Sequence, residues 1–86
     1  MEVTFHRMFL KLYEKLPSKI QSRFEERLAL FHENPFDDSL RNHSLGGEWA
    51  GFRSINITGD YRAIYEVVGE NTAKFYAIGT HTKLYK

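Results

Sequence analysis

Gly59-Asp60-Tyr61-Arg62-Ala63-Ile64-Tyr65-Glu66-Val67-Val68-Gly69-Glu70-Asn71 decides the fold of this 86-residue chain. Between a Gly59-Asp60 turn signal and a Gly69-Glu70-Asn71 turn signal stands a run rich in aromatic and β-branched side chains, the composition of a strand. Turns this short force the next strand on either side to run antiparallel. Outward from the quoted stretch, Trp49 through Ile57 and Ala73 through Thr80 repeat the same period of two. Three consecutive antiparallel strands are expected.

Upstream of Gly47 the period changes. Phe36 to Gly47 reads as loop, through Asp37-Asp38, Asn42 and Gly46-Gly47. Before it, Phe9, Leu12, Tyr13 and Leu16 recur at i, i+3, i+4 and i+7, the stripe of a short amphipathic helix. Pro17 ends that helix, because the residue before a proline is pushed out of helical geometry. Ser18 and Gln21 have the spacing of a capping box, so a second helix should start at Ser18. It should bury Ile20, Phe24, Leu28 and Phe31, leave Lys19, Arg23, Glu25, Glu26 and Glu33 to solvent, and stop at Asn34-Pro35. Val3-Thr4-Phe5 is a β-prone opening. The expected architecture is α+β in the order β-α-α-β-β-β, one domain over residues 1–86. Its helical hairpin should cover one face of an antiparallel sheet joined by the N-terminal strand.

Composition bounds the function. With no cysteine, neither a disulfide nor a thiolate metal site can support so small a core. A chain 42% hydrophobic and 15% aromatic is too rich in core-forming side chains to be disordered. No apolar run approaches the roughly 18 residues of a membrane span. Met1-Glu2-Val3-Thr4-Phe5-His6 has no basic or apolar leader, so a cytoplasmic protein without membrane contact is expected. Net charge is +1, with seven Lys or Arg against seven acids through Arg41 and five against four beyond it. Proteins that hold nucleic acid unaided carry a larger basic excess. If RNA is the substrate, a few placed groups act on it, or something else holds it.

Four histidines bear on chemistry. His6 and His32 fall near helix ends and read as surface residues. His43 precedes a glycine turn, and His81 follows the last strand, with Tyr85 four residues on. Arg53, Asn56, Asp60 and Arg62 lie in the central hairpin. A sheet can gather these strand ends, and two imidazoles, a carboxylate and guanidinium groups could cleave a phosphodiester without metal or cofactor. Imidazole moves protons near neutral pH, and guanidinium stabilises the charge of the phosphorane. Plainer readings compete. A histidine beside glycines is often a solvated turn residue, and Arg53 and Arg62 could pair with Glu48, Asp60 or Glu66 across strands. Tyr85 could simply tuck down the chain end, and Trp49 reads as a core residue. No His-x-x-His or carboxylate-rich helical pair suggests a metal site.

The segment Asn42-His43-Ser44-Leu45-Gly46-Gly47-Glu48-Trp49-Ala50-Gly51-Phe52-Arg53-Ser54-Ile55 resembles the His-x-Leu-x-Gly-x-x-x-Gly-x-Arg signature of RelE/ParE superfamily toxins, especially YafQ-like and RelE/StbE-like members. Gly59-Asp60-Tyr61-Arg62-Ala63-Ile64-Tyr65 is similar to that family's central strand. Ile78-Gly79-Thr80-His81 with Tyr85 is similar to its closing motif, and Leu16-Pro17-Ser18-Lys19-Ile20-Gln21 to its second-helix start. The resemblance spans nearly the whole chain in the right order.

It implies the toxin of a type II toxin–antitoxin system, also grouped with plasmid-stabilisation proteins. Such a toxin is a metal-independent mRNA endoribonuclease (an mRNA interferase) that works in the ribosomal A site. The 2′-hydroxyl attacks the adjacent phosphate, leaving a cyclic phosphate and a 5′-hydroxyl. Implied partners are the ribosome with its mRNA and a cognate antitoxin, through which the complex would bind operator DNA. His81 would be the general acid, His43 and Asp60 acid–base or orienting groups, and Arg62 the phosphate clamp. Tyr85 would stack on or orient a base, with Arg53 and Asn56 as RNA contacts. Where YafQ-like members carry a further histidine, this chain has Asn56, which implies attenuated activity. Two other readings fit the superfamily: a ParE-like toxin that poisons DNA gyrase by binding, and a binding module that has lost its activity. Fold alone does not choose among them.

Overall fold

The computed structural model describes residues 1–85. Its elements are β1 (Glu2–Phe5), α1 (Arg7–Glu14), α2 (Ser18–Glu33), β2 (His43–Ser44), β3 (Arg53–Asn56), β4 (Tyr61–Val68), β5 (Thr72–Thr80) and α3 (His81–Leu84). Short 3-10 turns occupy Asp38–Leu40 and Gly47–Trp49. The architecture is α+β, and the strands form one sheet in the order β1-β5-β4-β3-β2. β3, β4 and β5 are antiparallel neighbours, as their short links require. β1 lies parallel to β5, with Val3 opposite Ala73 and Phe5 opposite Phe75, so the sheet is mixed. No turn constrains β1: its connection runs through the helices, long enough for either direction.

The expected strand from Trp49 to Ile57 begins only at Arg53. Gly47 and Gly51 hold φ of +60 and +92, backbone that glycine adopts at little cost, and Trp49 therefore sits in a turn. The capping box expected at Ser18 and Gln21 does not form. Pro17 occupies the N-cap, Ser18 is the first helical residue, and no side chain caps the helix. Gln21 instead donates from Nε2 to the Tyr13 carbonyl (2.8 Å), tying α2 back to the end of α1.

The same link is made from the other side. The Tyr13 hydroxyl reaches the Gln21 carbonyl at 3.1 Å and the Glu25 carboxylate at 2.9 Å. Burial, and then the bond to the Glu25 carboxylate, push Tyr13 up from 10.0 to about 12. A raised folded-state value means the hydroxyl stabilises fully below pH 10 and loses its effect as pH climbs through about 12. Tyr13→Phe should therefore be less stable than the parent by about 1 kcal/mol at neutral pH. That gap should close on the alkaline side. Urea unfolding of both proteins from neutral to alkaline pH checks it, and a gap independent of pH would refute the assignment.

The pleat gives the sheet two different faces. Ile55, Ile57, Ala63, Tyr65, Phe75 and Ile78 belong to the main core, with Phe9, Phe24 and Phe31 from the helices. The Phe31 ring meets Tyr65 at 5.1 Å and Phe75 at 5.5 Å between centroids, and Phe24 meets Phe75 at 5.8 Å, all edge-on. Ile20 and Leu28 are only half-buried, at the rim of the helical layer. Because side chains alternate along a strand, Ser54, Asn56, Arg62 and Ile64 face the opposite way. Beside them, a bulge at Ile64/Tyr65 leaves Tyr76 without a register partner on β4.

A candidate active site on the open face of the sheet

Three features partly cover the second face and leave a cleft between them. The chain end is the first. Thr80 caps α3, its hydroxyl accepting from Lys83 N, and α3 folds back over the sheet. The Tyr85 hydroxyl donates to Ser54 Oγ (3.0 Å), and Trp49 Nε1 donates to the Leu84 carbonyl (3.0 Å). Ser54, a fully buried polar side chain, thus has its partner. Tyr85 does tuck down the chain end, and its ring also meets His81 edge-on at 4.7 Å between centroids. Trp49 is half-buried over this face, outside the main core.

The second feature is the loop from α2 to β3. Leu40 anchors it in the core. Asn42 Nδ2 then donates to the Pro35 carbonyl (2.9 Å) and to the hydroxyl of buried Tyr65 (2.6 Å). Asn42 Oδ1 accepts from Arg53 Nε at 2.7 Å. With both ends of its amide engaged, Asn42 fixes the loop that carries His43. The third feature is the Thr58–Tyr61 turn between β3 and β4. Thr58 Oγ1 accepts from the backbone of Asp60 and Tyr61, and Arg62 Nη1 lies 3.1 Å from the Thr58 and Gly59 carbonyls and 3.2 Å from that of Tyr61. The guanidinium is held in place by the turn it follows.

The cleft these features leave, about 490 Å³, is lined by Arg41, Asn42, His43, Asn56, Arg62, His81 and Tyr85. Among the described residues, two imidazoles, two guanidinium groups and no carboxylate line it, so these side chains concentrate positive charge that the whole-chain balance of +1 does not reveal. His43 Nδ1 lies 2.8 Å from the Arg41 carbonyl. A carbonyl only accepts, so Nδ1 must carry the proton, which leaves the Nε2 lone pair of neutral His43 free to act as a base. His81 is placed by its own backbone, whose N–H donates to the Asp60 carbonyl at 2.9 Å.

Two of the residues expected here are not brought into the cleft. Arg53 shares the parity of Ile55 and Ile57 and so points to the core side of its strand, where it binds Asn42 and lies over the Phe36 ring at 5.2 Å. It supports the loop. Asp60 is exposed, and its carboxylate bonds to no described residue; its contribution is the carbonyl that receives the His81 N–H. Neither Arg53 nor Arg62 pairs with an acid, the one ion pair among the described residues being Arg23–Glu26. His6 and His32 lie elsewhere, the first as N-cap of α1, the second with Nδ1 3.0 Å from the Met1 carbonyl. Arg41 and Asn42 were absent from the sequence-based set. Asn42 followed from no pattern, and Arg41 could have been found only by asking why an arginine precedes the Asn42-His43 pair.

Comparison with known proteins gives this geometry a context. Residues 1–86 match the family described as YafQ, bacterial toxin of type II toxin–antitoxin systems. A Haemophilus influenzae protein named for the toxin YafQ is 31% identical over 58 residues, a stretch that takes in 64% of this chain and 57% of that relative. The crystal structure of YafQ from Escherichia coli superimposes with a TM-score of 0.82 at 19% identity, covering 99% of this chain and 98% of that one. YafQ in its Escherichia coli complex with DinJ, a toxin–antitoxin complex, gives 0.79 at 19% identity, covering 99% and 97%. A YoeB/ParE toxin from Agrobacterium tumefaciens gives 0.78 at 20% identity, covering 94% and 99%.

Proposed function

Because the chain belongs to the YafQ family of bacterial type II toxins, within the RelE/ParE superfamily, we propose that it cleaves mRNA on the ribosome. The observation that carries this is the pairing of two imidazoles with two guanidinium groups in one cleft. Cleavage without a metal needs a base on one side of a phosphate and an acid on the other. His43 is the base: Nε2, freed by the Nδ1–H bond to the Arg41 carbonyl, takes the proton of the 2′-hydroxyl. The 2′-oxygen attacks phosphorus, and Arg62 stabilises the charge on the phosphorane. His81 then protonates the departing 5′-oxygen as the P–O bond breaks. The products are a 2′,3′-cyclic phosphate and a 5′-hydroxyl. Tyr85, held by Ser54, offers its ring beside His81 as a surface for a base.

The small net charge supports a host that already holds the RNA, and the ribosome is that host. A cognate antitoxin holds the toxin in check by covering this cleft, as the DinJ–YafQ pairing in Escherichia coli suggests by analogy, and the pair binds operator DNA through the antitoxin. The chain works in the cytoplasm, where ribosomes are. Mapping end groups on RNA cut by the purified toxin on programmed ribosomes tests the chemistry. Cyclic phosphate and 5′-hydroxyl ends are expected, whereas 5′-phosphate ends would mean that water and not the 2′-hydroxyl attacks.

Asn56 lines the same cleft, opposite Arg62 in the strand register, and its amide transfers no proton. Asn56→His adds a titratable group there. Single-turnover cleavage is expected to rise or hold steady. A clear fall would show that the Asn56 amide is itself a required RNA contact.

A further inference from the structure

Among the described residues outside glycine, Arg41 alone has a positive φ, at +48 with ψ of +44. That left-handed conformation is unfavourable for an ordinary L-residue, and glycine or asparagine would hold it with less strain. The position caps a 3-10 turn, the Arg41 N–H donating to the Asp38 carbonyl at 3.2 Å, and any residue's backbone could do that. The arginine side chain is therefore unexplained by the turn. It is exposed, lines the cleft, and makes no hydrogen bond or ion pair with any described residue.

The other guanidinium groups near the site are engaged, Arg62 through Nη1 with three carbonyls and Arg53 with Asn42 and Phe36. We propose that Arg41 is a second phosphate-binding residue, gripping a backbone phosphate next to the scissile one in single-stranded RNA. This rests on the ribonuclease reading of the same cleft. The left-handed backbone turns the residue so that one amino acid serves twice. Its carbonyl fixes the His43 tautomer while its side chain offers an uncommitted cation to the polyanion. An RNA strand crossing the cleft would then meet a cation on each side of the His43–His81 pair, Arg41 on the loop and Arg62 on the sheet.

Arg41→Gly tests this, because glycine keeps the backbone conformation and the carbonyl to His43 while deleting the cation. The variant should melt no lower than the parent, and its pH–rate profile should keep the parental shape. Its kcat/KM on programmed ribosomes should fall by about ten- to a hundredfold, mostly through KM. Arg41→Lys should recover a good part of the loss. An all-2′-deoxy single-stranded oligonucleotide, which cannot be cut, supplies an independent reading when titrated at low salt and followed by NMR. The slope of log affinity against log salt should shrink by about 0.7 in Arg41→Gly. Parental kcat/KM and parental slope in Arg41→Gly would overturn the proposal. If the parent cuts no RNA but the slope still shrinks, the nuclease reading fails and the Arg41 contact stands. If the parent neither cuts RNA nor binds the oligonucleotide, both fail.

Discussion

His81→Ala is expected to slow single-turnover cleavage on programmed ribosomes by about a hundred- to ten-thousandfold while ribosome binding stays nearly unchanged. The reason is where the imidazole acts. A proton donor to the leaving 5′-oxygen is needed only as that bond breaks, so its loss raises the barrier without weakening the ground state. The structure adds that the substitution is structurally mild. His81 is exposed, its position comes from its backbone N–H on the Asp60 carbonyl, and alanine keeps that bond and the α3 turn. Thermal unfolding should therefore barely change, and near-parental cleavage by His81→Ala would move the acid elsewhere in the cleft.

Arg62→Ala should fail differently, losing about a hundred- to a thousandfold in rate and weakening substrate binding as well. A guanidinium on the scissile phosphate meets charge in the ground state and more charge in the transition state. Arg62 also contributes to its own surroundings. Nη1 bonds three carbonyls of the Thr58–Tyr61 turn, and that turn supplies the Asp60 carbonyl that positions His81. On the proposed roles, removing the side chain would loosen the acid along with deleting the clamp. Arg62→Lys should restore part of the binding and little of the rate, because one ammonium cannot bridge the turn and face the phosphate as a fork does. Rate measured against toxin concentration separates the two effects, and an Arg62→Ala loss confined to either one would contradict the dual role.

How far the sequence could be read follows from the same physics. The strand Tyr61–Val68 was legible to its ends, because turn residues bracket it. The two helical stripes were legible because Phe9, Leu12, Tyr13 and Leu16 in the first helix, and Ile20, Phe24, Leu28 and Phe31 in the second, repeat with helical spacing. The direction of β1 was not, since nothing local ties Val3 to Ala73. Trp49 misled because a large aromatic after two glycines suits a strand as well as a turn, and only the φ of Gly47 and Gly51 separates them. Arg53 lies on the core side of its strand, as its parity with Ile55 and Ile57 requires, a placement that the family signature does not carry. Arg41 was missed because left-handed positions are usually sought at glycine or asparagine, and Asn42 stands one residue on. His43, His81, Arg62 and Asn56 were legible as neighbours because each sits near a strand end, a relation that pleat and turn length impose, whereas Tyr85 joins them because α3 folds the chain end back onto Ser54.

Cleavage of mRNA through the cleft between the Arg41–His43 loop and α3 is checked by mapping transcript 5′ ends in cells after brief induction. New 5′ ends at fixed positions within codons, present with the parent and lost with His81→Ala, are the predicted result. Intact transcripts accompanied by trapped gyrase–DNA complexes would place the chain with the gyrase poisons instead.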